Sequence, residues 1–256
     1  KKADFLMIPF FNLDRQYQVL RGELEPAAAA ALASASYIGG QVVTDFEREI
    51  ARYLGVKYVV TCGNGTDALK LALRGAGVGP GDEVITSPFS FFATPEAVSA
   101  VGATPVFVDI REKDLNIDPA LIEAAITPKT KAILPVHIFG SPASMDEINQ
   151  IAARHHLKVI EDACQAIGTV YHGQMAGTIG DAGCFSFYPT KNLGACGDGG
   201  MLATNNEALF TVASALKAHA AGKIGAKAYS LLTGRSAEEM LPKASGGDSL
   251  YDPYKY

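Results

Sequence analysis

Past residue 56 the chain alternates between short apolar runs and longer stretches whose apolar positions recur at helical spacing. The runs KYVVTC (57–62), DEVITS (82–87), TPVFVDI (104–110), KAILPVHIF (131–139), LKVIEDA (157–163), AGCFSFY (182–188) and GGMLATN (199–205) predict strands. The intervening stretches predict helices from Thr66 to about Arg74, near 94–101, over DPALIEAAI and over SMDEINQIAARHH. In DPALIEAAI, Asp118 is the expected cap and Pro119 the first helical residue. Strands rich in Val, Ile and Phe that alternate with helices predict an α/β fold, a mostly parallel sheet with helices on both faces. The last two runs are joined by a loop too short for a helical crossover, so one of them is expected to run antiparallel.

Upstream, EPAAAAALASASYIGG predicts a helix with Pro26 near its first turn and Gly39-Gly40 at its end. Its alanine run needs no special role, because alanine is the best helix former. TDFEREIARYLG predicts a second helix, with Thr44 and Glu47 as a capping box. Phe46, Ile50 and Leu54 then share one face, and Gly55 stops the helix.

Composition changes this picture little. The 256 residues are 48% hydrophobic, 9% aromatic and 19% charged, which is ordinary for globular chains. A net charge of -5 argues against a nucleic-acid partner, since no basic excess neutralises a phosphate backbone. Cys62, Cys164, Cys184 and Cys196 show neither C-x-x-C spacing nor a zinc-ligand partner, so reduced, buried thiols in a cytoplasmic protein are expected and no metal. No apolar run reaches membrane-spanning length, and no membrane partner is expected. Pro9 interrupts the opening KKADFLMIPFF, which is not read as a signal peptide; Met7 is a candidate native start.

In an open sheet of this kind, ligands sit beyond the carboxyl ends of the strands. The predicted strand ends place Gly63-Asn64-Gly65-Thr66, Phe89, Ser90, Phe91, Asp109, His137, Asp162, Gln165, Ser186 and Lys191 on one rim. CGNGTDALKLAL is a glycine-rich turn entering a helix. It reads either as a plain strand-to-helix turn or as a phosphate cradle built from the Gly65 and Thr66 amides and the Thr66 hydroxyl. It is neither G-x-G-x-x-G nor a Walker loop, which disfavours a dinucleotide or a nucleoside triphosphate. Asp162, at a strand end, can cap, bind a metal or hold a protonated nitrogen; its neighbour Glu161 should point to the opposite face. His137 reads more readily as a satisfied core or rim histidine than as a catalyst, and His155-His156 as residues at a helix end that are solvated or interact with its carbonyls.

Lys191 decides between these readings. A loop lysine is ordinarily solvated. This one follows the aromatic strand CFSFY, and the flanking glycines of TKNLGACGDGG admit a planar ligand. An amine among apolar walls loses proton affinity and becomes a nucleophile able to form a Schiff base. Together the parts match pyridoxal phosphate, which needs a phosphate cradle (Gly65, Thr66, Ser186), a carboxylate for its pyridinium nitrogen (Asp162), a Schiff-base lysine (Lys191) and a flat wall (Phe91).

The blocks IPFFNLDRQY, GNGTDALKLAL, GPGDEVITSPFSFFAT, GATPVFVDI, PVHIFG, VIEDACQAIG, FSFYPTKNLGACGDGG and MLATNN stand in order from Ile8 to about Asn206. In these blocks the sequence resembles the DegT-type sugar aminotransferases, pyridoxal-phosphate enzymes of fold type I. The resemblance implies that Lys191 carries the Schiff base, Asp162 meets the pyridine nitrogen and Gln165 lies near the ring hydroxyl. It also implies that Gly65, Thr66 and Ser186 take the phosphate and that Phe91 stacks on the ring. A branch of the family that dehydrates sugars has histidine in place of the lysine, so Lys191 favours amino transfer. The implied reaction moves an amino group from an amino acid, glutamate being the expected donor, to a keto-sugar attached to a nucleotide. A homodimer is implied by resemblance alone.

Residues 1–206 are thus expected to form N-terminal helices plus the large cofactor-binding domain. Residues 207–256 are expected to begin a smaller, incomplete C-terminal domain, with PKASGGDSLYDPYKY as a loop or insertion. Three other functions remain open: a cofactor-dependent sugar dehydratase or lyase, a regulatory protein that binds sugar or cofactor without turnover, and a nucleotide-binding doubly wound domain. The last lacks its glycine fingerprint.

Overall fold

The structure, a computed structural model, describes residues 9–236. The readings of residues 1–8, including Met7, and of PKASGGDSLYDPYKY lie outside the described residues. The chain divides into two units, Lys1–Phe46 and Glu47–Tyr256.

The first unit carries helix α1 (Leu13–Ala33) and the start of α2 (Gly40–Leu54). Helix α1 begins well before the predicted start, because the Asn12 side chain caps it by accepting the Arg15 N–H. Pro26 therefore lies inside the helix rather than in its first turn. The helix ends at Ala33, and Gly39 and Gly40, both with positive φ, open α2 instead of closing α1. The predicted capping box does not form. Thr44 already sits inside α2 and donates its hydroxyl to the Gly40 carbonyl. In the second unit Glu47 accepts both the N–H and the O–H of Thr61, at 2.8 and 2.7 Å.

The second unit runs β1 (Tyr58–Cys62), α3 (Gly65–Gly75), β2 (Glu83–Thr86), α4 (Ala93–Ala100), β3 (Thr104–Phe107), α5 (Pro119–Ala125), β4 (Thr130–Leu134), α6 (Met145–His155), β5 (Lys158–Asp162), the short pair β6 (Val170–Tyr171) and β7 (Gln174–Met175), β8 (Ala182–Ser186), β9 (Gly200–Thr204), α7 (Glu207–Lys217) and α8 (Gly222–Thr233). Seven strands form one sheet in the order β1-β9-β8-β5-β4-β2-β3. The pairs β3/β2, β2/β4, β4/β5 and β5/β8 are parallel, whereas β9 lies antiparallel between β8 and β1. The short β8–β9 connection produces the antiparallel strand expected from its length.

Strand alternation sends successive side chains to opposite faces, and two cores result. Val84, Leu134 and Ile160 pack with Leu69 and Leu73 of α3, Val98 of α4 and Leu209 of α7. Their neighbours Ile85, Ile133 and Val159 pack with Ile122 of α5 and Ile148 and Ile151 of α6. Each fully buried aliphatic side chain stabilises the fold by about 1.5–3 kcal/mol relative to exposure. Helices therefore cover both faces of a mostly parallel sheet. Helix α7 is capped by the Asn206 side chain, which accepts the N–H groups of Ala208 and Leu209.

Candidate active site

The parallel strands β1, β2, β5 and β8 end at one edge of the sheet, and antiparallel β9 begins there. Close backbone approach stitches that edge together. A Cβ on Gly65 would lie 2.7 Å from Cys164 Sγ and 2.9 Å from Ser186 Cβ, so the turn after β1 rests directly on the ends of β5 and β8. A Cβ on Gly200 would strike the Asn64–Gly65 backbone, which holds the start of β9 against the same turn.

Between these ends lies a cavity of about 500 Å³. All seven candidates, Gly65, Thr66, Phe91, Asp162, Gln165, Ser186 and Lys191, line it. Asn64 and Ser90, also placed on the rim from the sequence, line it too, together with Cys164, Tyr188, Thr190 and Asp198. Phe89, Asp109 and His137 do not. His137 is wholly buried and satisfied as a core residue. Its Nδ1 accepts the Ala143 N–H, so the ring proton sits on Nε2 and is donated to Glu161 at 2.8 Å.

At the entrance to α3, the Asn64 carbonyl oxygen of the side chain accepts the Asp67 N–H at 2.8 Å. The amides of Gly65 and Thr66, in the first turn, have no intrahelical acceptor and stand at the positive end of the helix. With the Thr66 and Ser186 hydroxyls they offer a phosphate a set of neutral donors, and the missing side chain at Gly65 lets the turn sit directly against Ser186.

Asp162 is buried at the end of β5. Its Oδ2 accepts the Thr94 hydroxyl at 2.7 Å and its Oδ1 the Cys164 N–H at 3.2 Å. A carboxylate has about four acceptor positions, so half remain for a ligand in the cavity. Glu161 points to the other face, as alternation predicts, and is fully buried there. Gln165 is oriented by its Oε1, which accepts the Phe139 N–H at 2.8 Å; its NH₂ is thereby left as a donor. Phe139 holds a left-handed φ of 52° to present that amide.

Lys191 sits on a loop closed at its base by two backbone bonds, Ala195 N–H to the Phe187 carbonyl at 2.7 Å and Phe187 N–H to the Gly199 carbonyl at 2.8 Å. Its own N–H donates to the Tyr188 carbonyl, forming a turn. The side chain is half-buried and, among the described residues, its ammonium makes no ion pair. The neighbouring thiols are held protonated. Burial pushes Cys164 well up and Asp162 adds to it, while Lys191 pulls the other way; burial likewise raises Cys184 and takes Cys62 to about 12. Cys196 is exposed, unlike the buried thiols expected.

Thr94 escaped the sequence reading. It stands in the ordinary helical stretch ATPEAVSA, and no local spacing ties it to a carboxylate 68 residues later. Among the described residues, no group of three or more His, Cys, Asp or Glu side chains could hold a metal, and no helix is long and apolar enough to cross a membrane.

The model of the DegT/DnrJ/EryC1/StrS aminotransferase family matches residues 19–236. The chain belongs to this family. The match continues past Asn206 through α7 and α8. The chain is 50% identical over 212 residues to the pleiotropic regulatory protein of Geobacillus stearothermophilus, covering 83% of this chain and 57% of that one. It is also 50% identical over 212 residues to the UDP-N-acetyl-3-dehydro-alpha-D-glucosamine 3-aminotransferase of Acidithiobacillus ferrooxidans, covering 83% of this chain and 58% of that protein. The crystal structure of NtdA from Bacillus subtilis with bound cofactor PMP superposes with a TM-score of 0.76 at 42% identity, over 82% of this chain and 48% of that one. The chain thus spans under two thirds of the length of these relatives. Within that span lie all the strand ends that form the cavity.

Proposed function

We propose that this protein is a pyridoxal-phosphate-dependent aminotransferase. It moves an amino group from an amino acid, glutamate being the expected donor, to a keto-sugar carried on a nucleotide. The observation that carries this reading is the placement of Lys191 and Asp162 in one cavity with the Gly65-Thr66 turn and Ser186. The residues fit the cofactor, because the cavity brings a lysine, a carboxylate with acceptor positions open and the hydroxyl and amide donors of Gly65, Thr66 and Ser186 to one wall. The UDP-sugar aminotransferase name of one relative and the bound PMP of one neighbour support the same chemistry.

When bound, the cofactor supplies an electron sink that stabilises negative charge at the carbon losing its proton. The protein supplies the rest. The Gly65 and Thr66 amides and the Thr66 and Ser186 hydroxyls would hold the phosphate. Asp162 would keep the ring nitrogen protonated, Phe91 would lie against the ring, and the Gln165 NH₂ would donate to the ring hydroxyl. Lys191 Nζ would anchor the cofactor covalently and, once freed, act as general base for the α-proton of the amino donor. In the second half-reaction the same amine would deliver a proton to the sugar carbon that receives nitrogen.

We further propose a homodimer in the cytoplasm. Phe91 on the cavity wall and its neighbour Phe92 are 72% and 73% exposed, and Phe139, whose N–H orients Gln165, is 71% exposed; a second copy would cover such apolar side chains. The thiols at Cys164 and Cys184 suit a reducing compartment.

Visible absorbance tests the reading. The purified protein should be yellow, lose its colour with glutamate, and regain it with the right keto-sugar. A protein that takes up no pyridoxal phosphate contradicts it. The name of the Geobacillus relative favours a second reading, a regulatory protein that binds without turnover. Under that reading Lys191→Ala leaves ligand binding and output intact; under ours it ends transfer.

A further inference from the structure

We propose that Thr94 is a positioning residue for the Asp162 carboxylate, fed by a hydroxyl relay that starts at Ser90 on the cavity wall. The inference rests on the cofactor reading above and deepens it. Thr94 lies in the first turn of α4 and is wholly buried. A threonine within a helix commonly returns its hydroxyl to the carbonyl one turn back. Here the hydroxyl leaves the helix and reaches Asp162 Oδ2 at 2.7 Å. Its oxygen also lies 2.6 Å from Ser90 Oγ.

The direction of the relay follows from proton counting. An ionised carboxylate only accepts, so the single Thr94 hydroxyl proton is committed to Asp162. The short contact to Ser90 must then be donated by Ser90. The chain reads Ser90 to Thr94 to Asp162, and each bond in such a series polarises the next. Oδ1 is held separately by the Cys164 N–H, from the loop after β5. Two elements, α4 and that loop, therefore grip the two oxygens of one side chain, and the carboxylate cannot turn about its terminal bond without breaking a buried hydrogen bond. The acceptor positions left over are those on the cavity side. Thr94 thus fixes where a ring nitrogen is met while touching no ligand itself.

The test uses the protein reconstituted with pyridoxal phosphate labelled with ¹⁵N at the ring nitrogen, in wild type, Thr94→Val, Thr94→Ser and Ser90→Ala. Two quantities are read, the ¹⁵N resonance of the bound cofactor and its dissociation constant from fluorescence. In T94V the carboxylate is no longer held, so the resonance moves toward the unprotonated-pyridine position and binding weakens about tenfold, as for one lost hydrogen bond to a charged group. T94S restores both. S90A keeps the final bond but loses its polarising donor, and moves the resonance the same way by less. A folded T94V with an unmoved resonance and binding within about twofold of wild type overturns the relay while leaving the cofactor reading intact. If T94V does not fold, S90A decides, and an unmoved resonance there overturns the relay. A wild type that binds no labelled cofactor overturns both the relay and the reading beneath it.

Discussion

Two carboxylates stand side by side on β5 and face opposite ways. Glu161 is fully buried on one face, and every acceptor position is taken. The N–H groups of Ile179 and Gly180 reach Oε1, both at 2.7 Å, and those of Gly177 and His137 reach Oε2, both at 2.8 Å. Asp162, on the other face, has two protein donors and a cavity before it. The same chemical group therefore serves two ends, set by what surrounds it. A saturated carboxylate fastens the segment 177–180 to the sheet and has nothing left to offer. A half-satisfied one is held in place and keeps acceptor positions open for a ligand.

The strongest test of that contrast exchanges stability for activity. Glu161→Leu would leave three amides and an imidazole N–H without their acceptor, the Gly177 amide and the imidazole among them buried, and chemical denaturation should register a loss of about 3–5 kcal/mol. Asp162→Asn should behave in the opposite sense, with a denaturation midpoint near wild type but amino transfer reduced by about 10²–10³-fold, as for loss of one preorganised electrostatic partner. Equal stability losses in the two variants would erase the distinction. Gly65→Ala probes the cradle, since its Cβ would meet Cys164 Sγ at 2.7 Å. Strain of about 1–3 kcal/mol should appear as weaker cofactor binding by about tenfold or more, read by fluorescence titration.

The smallest expected effect concerns a thiol beside the Gly65 turn. Burial takes Cys62 from 9.0 to about 12, so the folded protein keeps it neutral where the unfolded chain ionises it. A raised value means that its contribution is fully present below about pH 9 and is lost as pH rises toward 12. Comparing wild type with Cys62→Ala, the stability advantage of the thiol should shrink by up to about 1.4 kcal/mol per pH unit above pH 9. A pH-independent difference would show that this thiol is not shielded as the structure has it.

The sheet and much of the site were legible in the sequence because they follow from local rules. Short apolar runs mark each strand of the main sheet, and alternation alone puts Glu161 and Asp162 on opposite faces. The rule that ligands sit beyond the strand ends gathers Gly65, Asp162, Ser186 and Lys191 from the sequence alone. What escaped depended on distant partners. Thr94 matters through a bond to a residue 68 positions away, and no helical pattern announces it. His137 and Asp109 were gathered on the rim but fall outside the cavity, because a strand-end position does not say which way a side chain turns. The start of α1 was missed because a single side-chain cap at Asn12 moved it, against the stronger signal of Pro26.

Lys191 lines the cavity and would anchor the cofactor covalently. Borohydride reduction of the cofactor-loaded protein, followed by peptide mapping, should place a pyridoxyl group on the Lys191 peptide, and Lys191→Ala should carry none. A pyridoxyl group found on another lysine, or on none, contradicts this anchoring role.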